Sequence, residues 1–511
     1  MTHEAQAGTL EAMLDRIAEP ERPEEPSLVG VDGRVLATRG QLGARVRAYA
    51  GAFERAGIAR GEAVAFGVRQ DADGIAWLLA AFRAGVAVVV LDPGLVPASL
   101  AARCRVAGVT AAVMDGLVAT VTGSRVLRGV AALRGLALPD PATLAPRRFA
   151  TGRTPGGATR LDRLAGGDAR RPLAPDAAAL VIFTSGTTDE PRGVVHSPSG
   201  LAATLGQAGG LVDLGPGDRV LGTGLHLVGP ALLAGAAVVV PPGRGGPPAL
   251  ARVTRRAGVT HASMPLHVAL AWARAGGAGP AFRTLLLGSA PVRNEGLAAL
   301  VGLLPGVRVA SVYGLTEHLL VALVEADQRL AHDERDGDLV GHLLPGVRTR
   351  VDEAGEVHVA GPALARGYLG DPMPVTELPT GDMGLLDDHG RLVLHGRRKE
   401  MLIRGGENIY PSLYEAALAA AADLEAAVMV GVERPDGDEA VVLVAVPRSG
   451  QDPEAARRRL EAVCRGGSSP LDAHARPDLV LAVPGLPRAG RSGKPDRAAL
   501  RALAARHLED A

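Results

Sequence analysis

Over its first 140 residues the chain alternates amphipathic stretches with short β-branched runs, and this alternation limits the folds open to it. Gln41 to Ala56 reads as helix, Ala63 to Val68 as strand, Ile75 to Ala84 as helix and Val86 to Leu91 as strand. Such alternation predicts a parallel sheet covered by helices. A stretch rich in Pro, Gly, Thr and Arg, from Pro139 to Pro175, breaks the pattern and reads as a surface connection. Ala178 to Phe183 restores the pattern as a strand, and it continues to about Ala310. From Val340 to Leu394, short runs such as Glu356 to Ala360 and Leu392 to Leu394 are separated by Gly, Pro and Asp, which predicts a small β unit. Beyond Lys399 come a glycine-rich turn, a helix near Leu413 to Ala421, strands at Ala426 to Val432 and Ala440 to Val446, and a last helix from Arg497. That order predicts a separate α+β unit.

A chain of 511 residues exceeds what one hydrophobic core usually holds, so roughly three packing units are expected. Hydrophobic residues at 47% and charged residues at 22% exclude a disordered chain. Lys plus Arg equals Asp plus Glu at 55 each, so no global field recruits nucleic acid or an acidic membrane. Any bound anion must be held by local groups. Cys104 and Cys464 are isolated, without the spacing of a zinc site, a redox pair or a disulfide framework, which fits a reducing cytoplasm. Met1 to Glu19 carries Glu4, Glu11 and Asp15 with no apolar run behind a basic start, unlike a signal peptide. Val220 to Gly243 has no charged residue, yet Gly222, Gly224, Gly229, Pro230, Gly235, Pro241 and Pro242 interrupt it. A buried helix running into a strand at Ala236 to Val240 is expected there, and no membrane span.

The strand Ala178 to Phe183 opens into Thr184, Ser185, Gly186, Thr187, Thr188, Asp189, Glu190, Pro191, Arg192 and Gly193. Backbone N–H groups, hydroxyls and the Arg192 guanidinium of such a loop can all face a polyphosphate. It is not a Walker loop, since no G-x-x-x-x-G-K-[ST] occurs in the chain. Alone, such a loop also serves as a plain turn, and its neighbours decide between the two. They are Tyr313-Gly314-Leu315-Thr316-Glu317, Thr380-Gly381-Asp382, Gly396-Arg397-Arg398-Lys399-Glu400 with Gly405-Gly406-Glu407-Asn408-Ile409-Tyr410-Pro411, and Pro487 to Lys494. In this order, and over essentially the whole chain, the motifs resemble those of the acyl-adenylate-forming superfamily of acyl-CoA synthetases, peptide-synthetase adenylation domains and beetle luciferases.

The resemblance implies an α/β fold: a large N-terminal adenylate-forming domain, residues 1–397, of two doubly wound subdomains plus the small β unit, then a small mobile α+β domain, residues 398–511. It implies ATP, Mg²⁺ and CoA as ligands and a small carboxylic acid as substrate, with an acyl carrier protein as another acceptor. A carboxylate attacking the α-phosphate of ATP faces charge repulsion, so cations are needed where the anions meet. By resemblance, Lys494 bridges carboxylate, α-phosphate and ribose, Glu317 holds Mg²⁺, and Thr316 bonds the α-phosphate. Tyr313 and Gly314, with Ser289-Ala290-Pro291, enclose the adenine, and Asp382 with Arg397 takes the ribose. Lys399 is the hinge that swaps Lys494 for the loop Gly405, Gly406, Glu407 and Asn408 on the CoA side. Met alone, Thr380 to Asp382 reads as a solvated loop, Arg397 as a surface ion pair and Glu317 as a capping carboxylate. Lys399 and Lys494 are the two lysines among 55 basic residues, which marks places where a compact ammonium is kept over a guanidinium.

Two positions depart from the family's phosphate loop. Asp189 stands where glycine is common, which implies a weakened hold on ATP, and Arg192 stands where lysine is common. The region where amino-acid-activating relatives place an Asp reads Leu225-His226-Leu227-Val228-Gly229, which disfavours an amino acid. Gly222, Gly224, Gly229, Gly288 and Ser289 suggest room for a bulky or long apolar acid, with His226 near its carboxylate or the pantetheine path. The same glycines also suit turns. The sequence leaves three functions open: an AMP-forming acid:CoA ligase, an adenylating enzyme that uses a carrier-protein thiol or a lactone-type closure, and a nucleotide-binding relative without turnover.

Overall fold

The computed structural model describes residues 8–509 apart from 70, 92–96, 134–139, 153–157, 184–191, 223, 243–244, 290–291, 372–373, 405–406, 435–438, 466–468, 473–474 and 490–493. The chain is α/β, with a large N-terminal domain and a small C-terminal domain, as the alternation predicts. By packing it divides into two units. One runs to Ala326 and includes Leu343–Arg348 and Val359–Leu378; the other comprises Asp327–His342, Thr349–His358 and the chain from Pro379 onward.

The first unit contains an eight-stranded sheet in the order Gly367–Tyr368, Gly193–His196, Leu180–Phe183, Ala87–Val90, Ala63–Gly67, Ala111–Asp115, Arg147–Thr151, Thr159–Arg160. It is parallel from Leu180–Phe183 through Thr159–Arg160 and antiparallel where Gly193–His196 and Gly367–Tyr368 join. Another sheet in this unit runs parallel through Pro26–Val29, Ala237–Val239, Arg219–Leu221, His261–Met264, Thr284–Leu287 and Arg308–Leu315. It then turns back, antiparallel, into His318–Glu325. Ala111–Asp115 and Thr284–Leu287 are buried at every position, the pattern of strands covered on both faces. The helix Arg39–Arg55 starts with a capping box formed by Thr38 and Gln41 and buries Leu42, Val46, Ala50 and Phe53. Trp77 stacks on its Tyr49 at 3.8 Å and meets Phe53 edge-on at 5.7 Å.

The stretch from Pro139 to Pro175 corrects the expectation of a surface connection. Arg147–Thr151 pairs in parallel with Ala111–Asp115 and is followed by the strand Thr159–Arg160. Its first two residues are half-buried arginines and its apolar content is Phe149 and Ala150, so the strand lacks the continuous apolar run of its neighbours. From Val220 to Gly243 the expectation holds. The strand Arg219–Leu221 leads into the helix Leu225–Leu233, which contains Pro230, and then into the strand Ala237–Val239. No helix among the described residues is long and apolar enough to cross a membrane.

In the second unit the order is Arg348–Val351, Glu356–Ala360, Leu378–Leu386, Arg391–Arg397, Asp338–Leu343, the small β unit expected from the sequence. Further on, Leu424–Glu433, Glu439–Pro447 and Leu479–Ala482 form a three-stranded sheet. One face of this sheet packs Met429, Val441 and Leu443 against Leu418 and Leu460 of the helices Pro411–Ala421 and Pro453–Arg465. The other packs Val428, Val430, Val442 and Val444 against Leu500 and Ala504 of the helix Arg497–Glu509. The period of two along each strand thus feeds two apolar layers.

One buried cation fastens the start of the chain to the first unit. The Arg83 side chain, 2% exposed, donates to both carboxylate oxygens of Asp168 at 2.8 and 2.6 Å and to Asp15 at 2.6 Å. These bonds from Arg83 hold the Asp168 carboxyl below the usual carboxylate range, against the opposing effect of burial. A depressed carboxyl contributes stability above its unfolded pKa of ~3.9 and loses it as pH falls through the folded value. Arg83→Met should therefore cost roughly 3 kcal/mol at neutral pH and flatten the fall of the thermal midpoint below about pH 4. Calorimetry across that range tests this: an acid limb as steep in the variant as in the parent contradicts the assignment.

Candidate active site

The hairpin Arg308–Leu315 and His318–Glu325 closes through a two-residue turn, Thr316 and Glu317. Leu315 pairs with His318 at its end, and a bulge separates that pair from Tyr313 opposite Ala322. Gly314 sits in the bulge, where a Cβ would lie 2.1 Å from the Leu319 carbonyl oxygen. Glycine is required there by the close approach of two backbones.

The turn is held at three points, all within the first unit. The Thr316 carbonyl accepts a hydrogen bond from His196 Nε2 at 2.9 Å. The Glu317 carbonyl accepts one from the Ala365 N–H at 2.7 Å. The Tyr368 hydroxyl donates to Glu317 Oε1 at 2.7 Å. Arg192, the first described residue of the loop that follows Leu180–Phe183, lays its guanidinium over the Tyr368 ring at 3.8 Å from the centroid. Tyr368 and Arg192 are brought together because Gly367–Tyr368 pairs with the strand Gly193–His196.

Burial dominates the electrostatics of this cluster. His196 and His318 are wholly buried, and loss of water pushes each pKa down to about 4, so both rings are neutral near pH 7. Because His196 Nε2 faces a carbonyl oxygen, that nitrogen carries the proton. Burial, reinforced by the bond to Glu317, pushes the Tyr368 phenol upward, so it stays a donor. Glu317 is half-buried and has no ion-pair partner among the described residues. A carboxylate with one neutral donor and no ion pair among the described residues suits a hard divalent ion such as Mg²⁺.

Thr184, Ser185, Gly186, Thr187 and Thr188, read from the sequence as a phosphate loop, lie outside the described residues with Asp189, as do Ala290 and Pro291. Ser289 follows the strand Thr284–Leu287 and is exposed, with φ of 65°, a left-handed conformation uncommon for serine. Tyr313 is half-buried on the neighbouring parallel strand, so both residues lie towards the carboxyl ends of their strands, where open α/β sheets bind ligands. At Gly288 a Cβ would meet only ordinary contact, 3.7 Å from the Val312 oxygen.

His226 lies in the first turn of Leu225–Leu233, half-buried, with its pKa lowered by burial. Gly229, expected to leave room for the acid, is buried, and a Cβ there would lie 2.6 Å from Leu205 of the helix Pro198–Gly209. Its missing side chain serves the packing of these two helices.

Within the second unit, Asp382 and Arg397 face each other across the strands Leu378–Leu386 and Arg391–Arg397. Arg397 Nε is 2.7 Å from the buried Asp382 carboxylate, and its Nη1 donates to the Thr380 carbonyl at 3.1 Å. Next to them Arg398 pairs with the buried Glu356 at 2.5 Å. Lys399 is exposed in the turn Arg398–Glu400. Gly405 and Gly406 fall outside the described residues, while the strand carrying Glu407 and Asn408 pairs with Leu402–Arg404. Lys494 begins a two-residue strand opposite Ala489.

His196, Ala365 and Tyr368 were not singled out by the motifs. Scarcity offers a signal for one of them: the chain has five tyrosines, and Tyr368 is among these.

Residues 16–369 match the AMP-binding enzyme family and residues 413–494 the C-terminal domain of AMP-binding enzymes. The chain belongs to this family. CymA of Salinispora arenicola, a probable nonribosomal peptide synthetase, is 30% identical over 97% of this chain, and indoleacetate–CoA ligase of Aromatoleum aromaticum is 29% identical over 55%. The chain spans 6% and 59% of the lengths of these two relatives. The amide bond synthetase McbA of Marinactinospora thermotolerans superposes with a TM-score of 0.80 at 26% identity, covering 97% of this chain and all of that one.

Groups that orient a metal-binding carboxylate typically change metal affinity by about 10-fold or more when removed. Tyr368→Phe is therefore expected to raise the Mg²⁺ concentration needed for ATP binding roughly tenfold, read by calorimetric titration at fixed ATP. An unchanged Mg²⁺ dependence would separate Tyr368 from the function of Glu317.

Proposed function

We propose that this chain activates a non-amino carboxylic acid with ATP, forming an acyl-adenylate and releasing pyrophosphate, and then transfers the acyl group to CoA. The observation that carries this reading is the Thr316 and Glu317 turn, fixed beside Arg192 at the exit of the phosphate loop. The family match over residues 16–369 supports it.

In this reading the phosphate loop and Arg192 cradle the triphosphate, Thr316 donates to the α-phosphate, and Ser289 with Tyr313 flanks the adenine. Glu317 holds Mg²⁺, which when bound offsets charge on the phosphate oxygens. Asp382 accepts from the ribose hydroxyls while Arg397 fixes its orientation. Lys494 supplies the ammonium that lets carboxylate and α-phosphate approach. His226 and Gly288 border the acid, a bulky or long apolar one. Lys399 is the pivot between residues 1–397 and 398–511, and rotation about it exchanges Lys494 for the loop from Gly405 to Asn408. The setting is the cytoplasm, where the buried thiols of Cys104 and Cys464, each raised to about 11 by burial, stay inert.

A second reading keeps adenylation and changes the acceptor. The likeness to an amide bond synthetase along the whole chain favours an amine nucleophile, and the likeness to a peptide synthetase favours a carrier-protein thiol.

Pyrophosphate release measured with aliphatic, aromatic and polycyclic acids should depend on the acid, and thioester should appear when CoA is added. Release without acid, or none with any acid, would sink the adenylation reading; amide in place of thioester would select the second. Lys494→Ala should reduce adenylation by at least about 100-fold while sparing thioester formation from supplied acyl-adenylate. Equal loss of both steps would contradict the rotation.

A further inference from the structure

His196 has the form of a side chain placed for a purpose other than packing. It is wholly buried on the strand Gly193–His196, and its Nδ1 has no hydrogen-bond partner among the described residues. Its polar contact is Nε2 to the Thr316 carbonyl, 120 residues away in sequence. A leucine or methionine would fill the same volume without stranding a nitrogen, so the ring's presence calls for a role in that contact.

The backbone of His196 is fixed on both sides. It pairs with Leu180 across the strands that flank the phosphate loop, and Ser197 caps the following helix by accepting from the Gly200 N–H at 3.1 Å. The imidazole therefore projects from a rigid base. It reaches from the sheet that carries the phosphate loop to the hairpin of the other sheet, which carries Thr316 and Glu317. Groups that grip the two ends of one triphosphate must keep their separation to well within 1 Å, since a displacement of that size can cost about 100-fold in rate.

We infer that His196 is a positioning residue that sets the distance between the strand Gly193–His196 and the Thr316 and Glu317 turn by donating Nε2–H to the Thr316 carbonyl. The inference rests on the adenylation reading. It assigns His196 no contact with substrate: the ring is walled off from solvent and its one donor is used.

The test compares His196→Met, which keeps volume and removes the donor, with His196→Gln, whose side-chain nitrogen lies as many bonds from Cβ as Nε2 does. The Met variant should retain the parent's thermal midpoint within a few degrees, lose at least tenfold in kcat for acid-dependent pyrophosphate release, and speed amide exchange at Leu315 to Leu320. The Gln variant should recover kcat to within about threefold and restore slow exchange, since its side-chain N–H can replace the lost donor. Equal kcat and exchange in both variants and the parent would overturn the inference, as would activity falling only in proportion to the folded fraction. A parent that releases no pyrophosphate with any acid would instead sink the adenylation reading, and the exchange rates would still decide whether the clamp exists.

Discussion

Two carbonyl oxygens, those of Thr316 and Glu317, tie together parts of the first unit that would otherwise be independent loops. A tight turn leaves its carbonyls pointing outward, and a buried carbonyl without a partner is costly. Here the partners come from His196 and Ala365, one on the strand Gly193–His196 and one just before Gly367–Tyr368. Since Tyr368 also binds the Glu317 side chain and carries Arg192 on its ring, the turn, the Glu317 carboxylate and the Arg192 guanidinium share one set of constraints. Gly314 is the backbone counterpart of this arrangement, because the bulge that aims the turn leaves no room for a side chain.

The charge balance of 55 against 55 is realised locally. Arg83 is wholly buried between two aspartates, Asp382 faces Arg397, and Glu356 faces Arg398. These cations and anions are matched at short range, whereas Glu317 is half-buried with no ion-pair partner among the described residues. A neutral phenol in place of a guanidinium leaves its negative charge available to a cation.

The fold was legible because its information is local and periodic. Strands buried on both faces read as apolar runs, and helices such as Arg39–Arg55 announce themselves through caps and spacing. Arg147–Thr151 escaped because it opens with two arginines and buries only three residues, too few to stand out against a Pro- and Gly-rich background. The motifs located Thr316, Glu317, Asp382 and Arg397, but could not show that Asp382 and Arg397 bind each other or that Tyr368 binds Glu317. Those contacts span 15 and 51 residues and depend on strand register. Gly229, read from the sequence as room for a ligand, lies where a Cβ would meet Leu205.

The last three-stranded sheet carries a consequence of a different kind. Among the described residues, both of its apolar layers draw their members from Leu402 to Ala504 and from nowhere earlier in the chain. A segment that closes its own core behaves as a cassette, and recombination upstream of Leu402 would cut neither layer. Substitutions upstream of Leu402 would therefore leave the interior of both layers intact.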